Sequence, residues 1–182
     1  MIFEKLRYKI ARMLLRRRAA KLKRQKMLYD FASAKSIGLL CSPEDVFSTV
    51  HLKEFLNYLS QKKIKYSVFG YFDGKTIPEN FLYLKDFDFI TQQDLNFLFM
   101  PKGPTVEKII NEPFDMLIDC NLNSLFPVEY ISQLSMAKCK VGIMREGGED
   151  CYDLMIDIAK NKTLEYFLEN LAIYLSNLRQ AQ

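Results

Sequence analysis

Apolar and polar positions along this chain change period several times, and each change marks an element. Ser36-Ile37-Gly38-Leu39-Leu40-Cys41 is a short apolar run. The polar turn Ser42-Pro43-Glu44-Asp45 follows, and Val46, Phe47, Val50, Phe55, Leu56 and Leu59 then recur at helical spacing. A second apolar run over residues 64–72 closes the unit. Strand, turn, helix and strand make a βαβ unit, which predicts a parallel sheet covered by helices. Pro43 forces an extended residue before it and suits a first helical turn. Either Ser42 or Asp45 has the side chain to cap that helix.

The pattern continues less evenly. Asp73-Gly74 reads as a turn. Residues 81–84 and 87–90 read either as short strands or as irregular aromatic packing. Residues 96–100 predict another short strand, closed by Pro101-Lys102-Gly103-Pro104. A helix is expected from Pro104 or Thr105 to about Asn111, a strand over 114–120, a helix over 128–136 and a strand over 138–144. Gly147-Gly148 makes a turn in an acidic loop, and 154–158 is the last strand. Thr163 can cap a final helix whose stripe is Leu164, Phe167, Leu168, Leu171, Leu175 and Leu178. The whole predicts one three-layer, Rossmann-like α/β domain with a mainly parallel sheet over residues 35–182.

Residues 1–34 differ from the rest. From 2 to 33 there is no Gly and no Pro, and Leu, Met, Ala, Arg and Lys dominate. Such strong helix formers predict one long helix. Phe3, Leu6, Ile10, Met13 and Leu14 lie on one face, which Met27, Leu28 and Phe31 resume. Between them Arg17, Lys21 and Arg24 fall on that face, while Arg12, Arg16, Arg18, Lys23 and Lys26 fall elsewhere. The middle of the expected helix is ringed by charge.

Composition narrows the class. With 182 residues, 49% of them apolar, the chain can bury a core and is not a disordered segment. No apolar run approaches the ~20 residues of a membrane span. The start has no uninterrupted apolar segment followed by a small-residue cleavage site, so no secretory signal is expected. Cys41, Cys120, Cys139 and Cys151 form no C-x-x-C pair. They read as reduced, mostly buried thiols, with no zinc site, which points to the cytoplasm.

Net charge is +4, but residues 1–35 carry +10 and the remainder −6. An acidic body with a basic arm implies a polyanionic partner for the arm. A helix ringed by charge suits folded RNA, ribosomal RNA included, reached through residues 5–26. Arg12, Arg16, Arg17, Arg18, Lys21, Lys23, Arg24 and Lys26 would contact phosphates and position the chain without reading sequence. An anionic membrane surface is the alternative partner, and a solvated helix that packs only by its ends is the reading without function.

Chemistry, if present, belongs at the carboxyl ends of the strands. Ser42, Glu44, Asp45, Asp73, Asp119, Asn121 and Asn123 gather at that rim. Its carboxylates could act as a base or hold a metal, or could simply cap helices and fill turns. No G-x-G-x-x-G and no Walker A sequence is present, so no cofactor is expected. Cys41 and Cys120 lie near the rim. The one histidine, His51, reads as a partly exposed helix residue and a poor activating partner for them.

Ser42-Pro43-Glu44-Asp45-Val46 after the first strand resembles the Ser-Leu-Gly-Asp-Val turn of heptosyltransferase-like glycosyltransferases. Phe114-Asp115-Met116-Leu117-Ile118-Asp119 and Met136-Ala137-Lys138-Cys139-Lys140-Val141-Gly142-Ile143 are similar to later motifs of that family. The likeness covers about residues 36–144. It implies a glycosyltransferase-like enzyme with Asp45 as base; Asp119, from the rim, is the second catalytic candidate if the chain is an enzyme. Glu44 departs from the family's glycine, and a second, donor-binding domain has no counterpart here. The whole chain also resembles a family of small uncharacterised bacterial proteins with this half-domain behind a basic helix. The leading expectation is therefore a non-catalytic protein whose arm binds RNA and whose body is a platform for a protein partner. A reduced glycosyltransferase-like enzyme or small-molecule binder at the rim, and a peripheral membrane protein, are the alternatives.

Overall fold

The computed structural model describes residues 2–42, 50–81, 84 and 87–177. Among them lie strands β1 (Ser36–Cys41), β2 (Lys65–Tyr71), β3 (Phe87–Ile90), β4 (Met116–Asp119), β5 (Cys139–Ile143) and β6 (Leu154–Ile156). The helices are α1 (Ile2–Ala19), α2 (Val50–Gln61), α3 (Pro104–Asn111), α4 (Phe126–Leu134) and α5 (Leu164–Asn177). The strands form one all-parallel sheet in the order β3-β2-β1-β4-β5-β6. That is the Rossmann order, with its switch point between β1 and β4.

Strand alternation sorts the core into two faces. Ile37, Leu39, Cys41, Met116, Ile118, Cys139, Val141 and Ile143 pack with Leu52, Leu56 and Leu59 of α2 and Phe167 and Leu171 of α5. Leu40, Phe69 and Leu117 pack on the other face with Val106 and Ile109 of α3 and Val128 and Ile131 of α4. β1 and β4 pack closely at Gly38, where a Cβ would come within 2.8 Å of the Leu117 side chain and 3.0 Å of Phe114. The fold class read from the sequence is the one observed: a three-layer α/β domain with a basic helix at its start.

Two expectations are corrected. The long helix over 2–33 stops at Ala19. Helix α1 does not project. Ala11 and Leu15 are buried against Phe126, Tyr130 and Leu134 of α4 and against Met100. Residues 20–35 form a strap instead. It runs past the edge of the sheet where the strands begin, and the Met27 N–H donates to the Lys138 carbonyl at 3.0 Å. The physical reason is competition. A continued helix would stack Arg17, Lys21 and Arg24 as like charges at successive turns. Unwinding lets Arg24 reach Asp153 and the carbonyls of Ala137 and Lys138.

Residues 96–100 are a turn, not a strand. The Asn96 Oδ1 accepts from the N–H groups of Leu98 (2.8 Å) and Met100 (3.1 Å), and Phe99 adopts φ 58°. An asparagine that bonds its own downstream backbone competes with strand pairing. Of the stretches left open, Phe87–Ile90 is a strand; in 81–84, Phe81 ends a 3₁₀ turn (Glu79–Phe81), and Leu82 and Tyr83 lie outside the described residues. Pro43, Val46, Phe47 and Leu178 lie outside the described residues.

Candidate functional site

The carboxyl rim brings together only part of the expected set. Asp119 ends β4 and is 2% exposed. Its Oδ1 accepts from the Asn121 N–H (3.0 Å) and Nδ2 (2.6 Å), and its Oδ2 accepts from the Tyr152 hydroxyl. Asn121 Nδ2 also donates to the Leu40 carbonyl at 3.0 Å, tying the ends of β4 and β1 together at the switch point. Asp119 thus has three donors around it and is held in place by them. Burial above all, then the Asp119 charge, pushes the Tyr152 hydroxyl far above its ordinary value, so it stays a donor.

The other rim residues lie elsewhere. Asp73 accepts from the Tyr71 hydroxyl (3.2 Å) and Gln92 Nε2 (2.9 Å) at the end of β2. Ser42 is half-buried and Asn123 exposed. Glu44 and Asp45 lie outside the described residues. All four cysteines are buried and none is in a disulfide. His51 lies 3.5 Å from Glu54 and 3.3 Å from Glu165, a surface cluster on α2 and α5.

A cleft of about 110 Å³ opens beside Asp119, between α1, the start of α4 and the loop after β5. Arg12, Arg16, Glu129 and Arg145 line it with Asp119 and Tyr152. Arg145 is anchored there: its Nη2 donates to the Asn121 carbonyl at 2.8 Å and its Nε to the Ile143 carbonyl at 3.3 Å. Sequence reasoning passed over Tyr152, Arg145 and Glu129. Only the fold sets the loop after β5 against β4, and no local spacing reports it.

The arm cations divide into two sets. Arg12 forms a two-point pair with Glu129 (3.1 and 2.9 Å), and Arg18 donates to the Tyr130 hydroxyl. Arg24 binds Asp153 through both of its terminal nitrogens, and Lys26 lies 3.4 Å from the same carboxylate. Burial raises the Asp153 carboxyl, but the Arg24 hydrogen bond and the Lys140 N–H outweigh it and hold the group below its ordinary value. Arg16, Arg17, Lys21 and Lys23 are exposed and make no ion pair among the described residues, as do Lys5 and Lys9.

Helix α1 uses only part of its apolar surface against the body. Phe3, Leu6, Ile10 and Met13 remain 83%, 53%, 36% and 46% exposed. They form a stripe on the side turned away from Ala11 and Leu15, with Lys5, Lys9 and Arg16 along one edge and Arg17 continuing the line at 100° per residue. Arg7, between stripe and body, lies 4.2 Å from the Phe97 ring and 4.0 Å from the Phe99 ring and donates to the Phe97 carbonyl at 2.7 Å. Phe97 is itself exposed and extends the apolar surface.

Among the described residues, no helix is long and apolar enough to cross a membrane. No curated protein matches the chain. A family model described as a family of unknown function, DUF6913, matches residues 5–178, which takes in most of α1, the strap and the whole sheet, and the chain belongs to that family.

Proposed function

We propose that the protein is a non-catalytic peripheral protein that seats the outer side of α1 on an anionic membrane surface. The observation that carries this reading is the exposed stripe of Phe3, Leu6, Ile10 and Met13 with free cations beside it. A helix docked on its own body by one face has no structural need for a second apolar face. Inserting such side chains beneath lipid headgroups returns roughly 1.5–3 kcal/mol for each one fully buried. Each Lys or Arg near an anionic leaflet adds about 1 kcal/mol. Apolar stripe and basic flank together are the signature of an interfacial helix. Under this reading the protein works in the cytoplasm, at the leaflet that carries anionic lipid.

RNA remains the second reading, favoured by Arg16, Arg17, Lys21 and Lys23, which are exposed where the helix gives way to the strap. It leaves the apolar stripe without a role, and Arg12 and Arg24 are already engaged by Glu129 and Asp153. Co-sedimentation of the full chain with vesicles of neutral or anionic lipid separates the two. Binding that needs anionic lipid and is lost in a Phe3→Ser, Leu6→Ser, Ile10→Ser variant supports the membrane. Nuclease-sensitive RNA binding that this variant retains, with no vesicle binding, favours RNA.

A further inference from the structure

Lys140 is a buried cation that no carboxylate neutralises among the described residues. Cys139, Val141 and Ile143 of β5 face α2 and α5, so alternation turns Lys140 to the opposite face, beneath α4 and the strap. The residue is 3% exposed. Its Nζ donates to the Gln133 carbonyl at 2.9 Å, and no carboxylate pairs with it among the described residues. The nearby Asp153 is already occupied. It accepts from both terminal nitrogens of Arg24 and, at 2.9 Å, from the Lys140 main-chain N–H. A lysine ammonium carries three donors. One is met, and a buried cation without a counter-charge is costly.

A cavity of about 180 Å³ lies beside this side chain. Arg24, Lys26, Gln133, Ser135, Lys140 and Asp153 line it. Three cations, Arg24, Lys26 and Lys140, and three carboxylates, Asp153 and the exposed Glu149 and Asp150, therefore border it; Lys140 is the cation of the three that no carboxylate pairs. We propose that this cavity binds a small oxyanion-bearing ligand, a phosphate or a carboxylate, with Lys140 as its principal cationic contact. The proposal is independent of what α1 touches.

The charge balance around Lys140 agrees. Burial first, then the Arg24 charge and more weakly Lys26, bring its ammonium down to about 8, and Cys151 and Asp153 offset this only in part. Gln133 and Ser135, the groups that face it from α4 and the turn after it, are uncharged. A bound oxyanion would act in the opposite direction, since an opposite charge nearby favours the ammonium.

Thermal unfolding and lysine side-chain nitrogen-15 NMR on the full chain test the site, with inorganic phosphate, sulfate and succinate as probes and sodium chloride at matched ionic strength as control. Phosphate and sulfate acting without succinate would assign the site to phosphate-type ligands; succinate alone would assign it to carboxylates. The expected result is a rise in melting temperature with at least one oxyanion beyond that with chloride. The Lys140 titration midpoint should also move upward by roughly tenfold in proton affinity. Lys140→Met should lose the oxyanion-specific rise, and Lys140→Arg should keep it while removing the Lys140 resonance. Equal responses to chloride and to every oxyanion in the wild type, or an undiminished oxyanion response in Lys140→Met, would overturn the proposal. If Lys140→Met does not fold, the wild-type titration decides: a midpoint that none of the probes moves overturns it.

Discussion

Arg24 and Asp153 meet in a two-point ion pair, Nη1 to Oδ2 at 2.7 Å and Nη2 to Oδ1 at 2.6 Å, with both side chains largely shielded from water. The remaining capacity of Arg24 Nη1 goes to the Ala137 and Lys138 carbonyls at 3.0 and 2.9 Å. One guanidinium thus fastens the strap to the start of both β5 and β6. Breaking a buried pair from one side leaves the other charge uncompensated, at roughly 3–5 kcal/mol. Lys26, 3.4 Å from Asp153, and the Lys140 N–H still face the carboxylate, so Arg24→Met is expected to lower the unfolding free energy in urea by an amount towards the lower end of that range. A loss of about 1 kcal/mol or less would mark the pair as no better than a solvated surface contact.

The same pair predicts an acid limit. Asp153 and Asp115 both have carboxyls held below their ordinary value. At Asp115, burial pushes upward, and the Lys138 ammonium with the N–H groups of Lys35 and Ser36 outweighs it. A carboxylate whose folded value is depressed contributes stability that is present above its unfolded value. That stability is lost as pH falls through the unfolded value towards the folded one. Melting temperature should therefore hold from neutrality down to about pH 5 and fall steeply below about pH 4. Asp153→Asn and Asp115→Asn should start lower at neutral pH and show a shallower acid limb. An acid limb as steep in both variants as in the parent would show that other groups set it.

The sheet was legible because its signals are local. β1 needs only Ser36-Ile37-Gly38-Leu39-Leu40-Cys41, and α3 starts at the Pro104 that the pattern marks. The strap was not legible, because its cause is distant in sequence. Propensity over residues 20–33 favours helix, and Asp153, which lies 129 positions from Arg24, overrides it. The rim was half legible. Asp119 and Asn121 do sit at the switch point, but Tyr152, which occupies Asp119, approaches from a loop 33 positions away. The basic arm was visible as charge. Which of its cations stay free was decided by Glu129, Tyr130 and Asp153, none of which the arm's own sequence reports.

Tyr152 rests on Gly142. A Cβ at that position would come within 2.6 Å of the tyrosine ring, closer than atoms can pack. Gly142→Ala must displace the ring that donates to Asp119, and overpacking of this kind costs about 1–3 kcal/mol. Tyr152→Phe keeps the ring and removes one donor from a buried carboxylate, again at about 1–3 kcal/mol. Because both act on one contact, the double variant should cost clearly less than the sum of the singles. Full additivity in chemical denaturation would mean that the glycine and the hydroxyl act independently.

The two apolar sides of α1 should respond oppositely to mutation. Leu15 is buried against α4, so Leu15→Ala should lower stability by about 2–5 kcal/mol. Leu6 and Phe3 lie on the outer stripe, largely exposed and outside the buried cluster that α1 joins, so Leu6→Ser and Phe3→Ser should change stability by about 0.5 kcal/mol or less. On anionic vesicles the ranking should invert. Each outer variant should weaken binding by roughly tenfold, in proportion to the apolar surface withdrawn from lipid. Lys5→Gln and Lys9→Gln should weaken it less and make it less sensitive to salt. If the outer variants instead destabilise the fold as much as Leu15→Ala does, the stripe is part of the protein's own packing, and α1 has no surface to offer a membrane.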